Sequence, residues 1–351
     1  MVGLDQGWSD PARLHAPGRR ARALLDAALE SLAAVLGCRP DEVHWAASGP
    51  TAAQEAVLGT LTARARTGRR LVTSAVEHAA VLHAGEWHAG AGGEVVVVAV
   101  DAEGAVDPSS YAAAVSGPGA SLASLQSANG EVGTRQPVAA VHAVCAAAGV
   151  PLHVDATASI GHADLPVVEL LTADLRAVGG PPGVGLLVRR TGTRWRRPGP
   201  DPAAVPPVPL LVAAAACLVA VEAERRELAR RHAGWTAWLR TEIPRRIPDV
   251  VLAGPARAQD RLPHLLTASF LYVDGEALVG ALAADGLAVD SGSACTADTL
   301  EPSHVLAAMG ALTHGNVRLS LGRDTTEADV ARLLNVLPAL VARLREGTAG
   351  L

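Results

Sequence analysis

Apolar residues recur at helical spacing through ALLDAALESLAAVL, which predicts an amphipathic helix over residues 21–36. The next stretch, CRPDEVHWAASGPTAAQEAVLGTL, reads as a short strand, a turn and a helix. RRLVTSAVEHAAVLHA repeats that pattern, and the unbroken valines of GEVVVVAVD predict a buried strand. ASLASLQSANGEVGTRQPV is a strand followed by a glycine-containing loop. The helix AAVHAVCAAAG then leads into VPLHVDATASIG, again strand then loop. Strands alternating with helices predict a mostly parallel, doubly wound α/β sheet, whose ligands lie in loops beyond the carboxyl ends of the strands.

The pattern breaks over residues 189–211, where six prolines stand among arginines and glycines, and this predicts a surface connection. A long helix follows, to about residue 239. LLTASFLYVDGEALVGALAADGLAVDSGSAC then reads as strand, helix and strand. The closing segment predicts a strand, a turn in which Thr326 caps with Asp329 at capping-box spacing, and a last amphipathic helix.

Composition narrows the function classes. The net charge is −5 with no long run of one sign, which argues against a nucleic-acid groove or a polybasic membrane patch. The cysteines Cys38, Cys145, Cys217 and Cys295 are far apart and form no CxxC pair, so a reducing, cytoplasmic setting is expected rather than a disulfide-stapled fold. The N-terminus has no signal-peptide core, and the apolar run at 210–221 is too short to cross a bilayer. His78, His83 and His88 recur at intervals of five, which does not stack them on one helix face. No metal site is expected from them. No Gly-x-Ser-x-Gly elbow is present.

In SGSACTADTLEPSHVLAAMG, residues 291–310, Cys295 stands among Ser, Gly, Thr and Asp, without the apolar frame that hides a structural thiol. This stretch, with VRLSLGRDTT after it, resembles the active-site cysteine loop of the cysteine desulfurases of the NifS/IscS type within the class V aminotransferases. GWSDPARLHAPGRRAR, SAVEHAAVL, SANGEVGTRQPV and PLHVDATASIG are similar to further motifs of that family, in the same order. The resemblance runs over residues 8–344. It implies the pyridoxal-phosphate-dependent transferase fold of type I, with a large domain over 1–209 and a smaller C-terminal α/β domain over 210–351 that carries the cysteine loop.

The same resemblance implies roles for particular residues. Asp155, at a strand end, matches the carboxylate that keeps the pyridine nitrogen protonated; otherwise it caps the next turn. His78 matches the histidine stacked on the cofactor ring, and is otherwise a surface histidine. Asn129 matches the partner of the ring hydroxyl, and is otherwise a turn residue. Thr51, at a helix start, matches a phosphate contact, and is otherwise part of an ordinary cap. Arg318 matches the clamp for an amino-acid carboxylate, with a surface ion pair as the alternative. Cys295 matches the thiol that takes sulfur from L-cysteine as a persulfide, or is an inert loop thiol. Family members are homodimers, so a homodimer, or a heterodimer with an active relative, is implied, together with a protein that donates or accepts sulfur.

One departure changes this picture. All 30 basic residues are arginine, so the chain has no lysine to hold pyridoxal phosphate as a Schiff base and to move the α proton. The guanidinium stays protonated and is a poor nucleophile. The stretch TADLRAVGGPPGVGLLVRR keeps a Gly-Pro-x-Gly turn but lacks the family's lysine and the serine and histidine beside it. Ala158 stands where the family has a glutamine, and RRPGPDPAAVPPVP replaces a segment that serves the neighbouring subunit's phosphate site. Two readings follow. The chain has lost the pyridoxal reaction and acts as a sulfur acceptor or regulatory subunit; or it holds pyridoxal phosphate noncovalently and remains an active desulfurase or lyase.

Overall fold

The computed structural model describes residues 5–199, 205–291 and 302–348. The chain forms two compact units. One comprises Met1–Val98, Asp107–Ser127 and Pro137–Arg225; the other comprises Ala99–Val106, Ala128–Gln136 and Arg226–Leu351. No single cut in the sequence separates them, because the second unit takes in two short excursions from the first half of the chain.

The first unit is built on seven strands: β1 (Val43–Ala46), β2 (Arg70–Ser74), β3 (Glu94–Val98), β4 (Ala120–Ser124), β5 (Leu152–Asp155), β6 (Leu170–Asp174) and β7 (Gly185–Arg189). Their order in the sheet is β1-β7-β6-β5-β4-β2-β3. Only β7 runs against its neighbours, so the carboxyl ends of the other six share one edge of the sheet. This is the doubly wound arrangement that the alternating pattern implies. The valine run of β3 is a correction: it lies at the sheet edge, paired only with β2, and Val97 is 54% exposed. Continuous apolarity marks a strand but does not say how many neighbours cover it.

Helix α1 (Ala16–Leu36) begins earlier than its apolar periodicity suggests. His15 caps it, the ring Nδ1 accepting from Gly18 N–H at 3.1 Å, and the arginines of the first turns obscure the pattern in the sequence. Helix α2 (Gly49–Ala63) presents Ala52, Ala53, Ala56 and Val57, all nearly inaccessible, to a core that includes Leu122 and Leu170. Small residues on that face let the helix lie close to the strands. Helices α3 (Ala79–Gly90), α4 (Pro108–Val115) and α5 (Val138–Ala147) complete the alternation.

The second unit has a three-stranded antiparallel sheet, β8 (Val250–Leu252), β9 (Leu265–Phe270) and β10 (Asn316–Ser320), in the order β10-β9-β8. Leu239, Leu266, Phe270, Leu278, Val317 and Leu337 belong to its core. They come from α6 (Val208–Arg246), the sheet, α7 (Gly275–Ala284) and the closing helix α9 (Glu327–Thr348); a short α8 (His304–Ala308) precedes β10. The division between the units falls within α6, which runs past residue 239 to Arg246. The Thr326–Asp329 capping box is present: the Thr326 N–H donates to Asp329 Oδ2 at 2.8 Å and the Asp329 N–H to Thr326 Oγ1 at 3.3 Å. The strand expected in GLAVD is not formed. Asp290 makes only an isolated bridge to Arg318.

The turn Ser48–Gly49 lies hard against the ends of β6 and β7: a Cβ on Gly185 would overlap the Ser48 carbonyl oxygen, and one on Gly49 would sit 2.5 Å from Asp174 Cβ. Gly185→Ala is therefore expected to cost about 1–3 kcal/mol in urea unfolding. Gly234→Ala, on the exposed face of α6 with open space around it, is expected to raise stability by about 0.5–1 kcal/mol in the same measurement.

Candidate active site

Each candidate in the first unit follows the carboxyl end of a strand. Thr51 lies in the first turn of α2, just beyond β1. Its N–H donates to the Oγ of the N-cap Ser48 at 3.1 Å, and the two hydroxyls are 2.9 Å apart. Asp155 ends β5 and is buried; its Oδ1 accepts from Thr157 N–H at 2.9 Å, the strand-end turn that the sequence offered as its alternative role. His78 is exposed and caps α3, its Nδ1 accepting from Ala80 N–H at 3.1 Å. That bond leaves Nε2 as the protonated nitrogen when the ring is neutral.

Between Asp155 and the start of α2 stands a residue the sequence reading passed over. Asp174 ends β6 and is 4% exposed. Its N–H donates to Thr157 Oγ1 at 3.1 Å, its Oδ2 accepts from the Gly49 N–H at 3.1 Å, and its Oδ1 accepts from the Arg176 N–H at 2.9 Å. The Arg176 guanidinium lies 3.2 Å away. A continuous line of hydrogen bonds thus joins Asp155, Thr157, Asp174 and the N-terminus of α2. The available signal was an aspartate closing the buried strand LLTAD.

Two further buried groups were also missed. Glu77, adjacent to His78, is inaccessible; its Oε1 accepts from Ser74 Oγ at 2.6 Å and from the Gln126 N–H at 2.9 Å. Burial pushes its carboxyl up to about 7, against the pull of those hydrogen bonds. His153 lies two residues before Asp155 and is equally inaccessible, with Nδ1 2.9 Å from Ser124 Oγ and Nε2 2.8 Å from Thr172 Oγ1. Burial pulls it down to about 4, so the ring is neutral at ordinary pH. An ionisable residue in an otherwise apolar strand was the signal in PLHVD.

In the second unit, Asn129 is buried in the SANGEVG turn. Its side-chain oxygen accepts from the N–H groups of Glu131 and Val132 at 2.8 and 2.9 Å, which is turn chemistry. Arg318 is on β10, where Nη2 meets Asp290 Oδ2 at 2.7 Å and Nη1 reaches the Gly130 carbonyl at 3.4 Å. Its guanidinium is engaged by the chain's own carboxylate. Ser303, the N-cap of α8, donates to Glu131 Oε2 at 2.5 Å, and burial raises the Glu131 carboxyl above its usual range. Cys295 lies outside the described residues. The other thiols are poor nucleophiles where a shift is evident: burial raises Cys38 and pushes Cys145 up to about 12. Among the described residues no group of three or more His, Cys, Asp or Glu could hold a metal ion, and no helix is long and apolar enough to cross a membrane.

Comparison with known proteins settles the ancestry. The Aminotransferase class-V family profile matches residues 9–198 and 203–333. The chain belongs to this family. It is 32% identical over 361 residues to the cysteine desulfurase IscS of Dictyoglomus turgidum, an alignment covering 97% of this chain and 90% of the relative. It is 36% identical over 378 residues to the IscS-like cysteine desulfurase of Mycobacterium tuberculosis, covering 98% and 92%. Among solved structures, a NifS-like protein superposes with a TM-score of 0.89 at 25% identity, covering 98% of this chain and 94% of that one. The fold is the type I fold of pyridoxal-phosphate enzymes, and cysteine desulfurases use that cofactor, act on L-cysteine and pass its sulfur to acceptors.

The residues present do not fit a covalently held pyridoxal phosphate. Residues 172–190 lie wholly within the described chain and contain no amine side chain, and no lysine occurs elsewhere. The first amide of α2, where a phosphate is ordinarily received at a helix N-terminus, already donates to Asp174.

The buried acid and base also set a pH dependence. Folded Glu77 holds its proton up to about 7 while the unfolded carboxyl releases it near 4.5, so its contribution to stability falls as pH rises through that window. His153 acts oppositely: the unfolded ring gains a proton below 6.5 and the folded one only near 4, so stability falls as pH drops through that range. The two slopes offset one another in the native chain. Glu77→Gln is expected to gain stability relative to the native chain as pH rises from 4.5 to 7, by a total on the order of a few kcal/mol, measured by urea unfolding at stepped pH. A difference that stays flat across that window would show that Glu77 is ionised in the fold.

Proposed function

We propose that this protein is a cysteine-desulfurase homologue that has given up the pyridoxal reaction and serves in sulfur transfer, taking sulfane sulfur on Cys295. The observation that carries the reading is the absence of any amine side chain, in residues 172–190 and in the whole chain, to form the Schiff base and move the α proton. Losing a positioned acid–base group alone costs about 10²- to 10⁴-fold in rate. Loss of the covalent anchor adds to that.

In this reading Thr51, His78, Asn129 and Asp155 are remnants of the cofactor site, and Arg318 of the substrate clamp. By family likeness the large domain is assigned to 1–209 and the small one to 210–351, while the compact units divide at Arg225 and Arg226 with two short excursions. The protein is cytoplasmic and dimeric, as a homodimer or paired with an active relative. The transfer step needs no outside oxidant. The Cys295 thiolate attacks the outer sulfur of a donor's persulfide, a new S–S bond forms, the donor's S–S bond breaks, and the donor leaves as its thiolate.

The test is to mix the purified protein with a persulfide-loaded cysteine desulfurase and to locate added sulfur by mass spectrometry of peptides. One extra sulfur atom on the Cys295 peptide, lost in Cys295→Ser and absent from the buried Cys145, is the expected result. No transfer to Cys295, with the donor shown to be loaded, would defeat the acceptor role and leave a regulatory one.

A further inference from the structure

The end of β6 and the start of α2 are held together by a carboxylate in a place where the fold offers its amides to an anion. We propose that Asp174 is a built-in anion that replaces phosphate at the N-terminus of α2, so that the chain excludes the phosphorylated end of a cofactor even when no covalent bond is needed. This rests on the reading that the pyridoxal reaction has been given up, and goes beyond it by closing the noncovalent route.

Three observations carry it. The Asp174 Oδ2 accepts from the Gly49 N–H at 3.1 Å, and this N–H belongs to the first residue of α2, where unpaired amides and the helix dipole favour negative charge. The carboxylate is neutralised in place: Oδ1 accepts from the Arg176 N–H at 2.9 Å, and the Arg176 guanidinium is at 3.2 Å. The two residues are also packed in contact, since a Cβ added to Gly49 would lie 2.5 Å from Asp174 Cβ and 3.0 Å from its Cα and N. A phosphate seeking the Gly49 amide would have to displace a satisfied, 4%-exposed carboxylate and then lie next to its negative charge.

The register across the sheet explains the placement. Gly185 on β7 is paired with Asp174 on β6 and with Ala46 on β1. Side chains at the ends of β6 and β1 therefore lie level with one another, and the turn leading from β1 into α2 is brought over the last residue of β6. Asp174 also caps the one-turn helix Leu175–Val178 through the Arg176 amide, so one carboxylate satisfies donors at the starts of two helices.

The test uses inorganic phosphate as the probe and needs no catalytic turnover. Melting temperature is followed against phosphate concentration, at constant ionic strength, for the native chain and for Asp174→Asn, which keeps the shape and removes the charge. The native chain is expected to show no phosphate-dependent rise, and Asp174→Asn a saturable one, with phosphate affinity greater by about tenfold or more. A native chain stabilised by phosphate as strongly as the variant would overturn the proposal, as would a folded Asp174→Asn that gains nothing. Should that variant fail to fold, Asp174→Ser takes its place, and the native chain is read directly by the NMR shift of the Gly49 amide. A saturable shift with phosphate contradicts the proposal, and an unmoved amide supports it. Persulfide uptake by Cys295 is unaffected by either result, so the two readings fail separately.

Discussion

The hydrogen bond from the Gly49 N–H to Asp174 is the constraint that ties the start of α2 to the end of β6. It sits where three strand ends and a helix start converge. A helix N-terminus leaves amides in need of acceptors, and that need is met by an incoming anion, by water or by the protein itself. Here the protein meets it. The Ser48 hydroxyl takes the Thr51 N–H and the Asp174 carboxylate takes the Gly49 N–H, so the first turn of α2 is supplied from within the fold.

The second unit repeats the theme independently. Arg318 has the planar, forked donor geometry that suits a carboxylate, and its Nη2 is 2.7 Å from Asp290 while the backbones of the two residues are bridged. This pair is partly exposed and contributes little to stability, on the order of 0–1 kcal/mol. Its significance is positional, because the guanidinium is already matched to a carboxylate of the same chain. In both units a basic or amide donor set suited to an anion is found with an aspartate in place, in a family whose cofactor and substrate each carry an anionic group.

Much of the architecture was legible in the sequence, because strand–helix alternation and buried apolar runs fix a doubly wound sheet with little ambiguity. The capping box at Thr326 and Asp329 was visible for the same reason: its chemistry is local. What could not be read was set by tertiary contact. The valines of β3 carry no sign that the strand would lie at an edge, and the GLAVD segment is apolar enough for a strand yet makes only one bridge. The site divides along the same line. Thr51, Asp155 and His78 follow strand ends as their motifs imply, since the motif includes the strand. Asp174, Glu77 and His153 were missed because each gains its meaning from a partner far along the chain: Gly49, Gln126 and Thr172 respectively.

A desulfurase fold without pyridoxal chemistry is the reading to be tested. The most direct measurement is the absorbance spectrum of the purified protein after incubation with pyridoxal phosphate and removal of unbound cofactor, followed by addition of L-cysteine and assay for alanine. The expected result is a spectrum of protein alone, unchanged by L-cysteine, and no alanine. A retained cofactor band that shifts when L-cysteine is added, with alanine released at a rate typical of cysteine desulfurases, would contradict it.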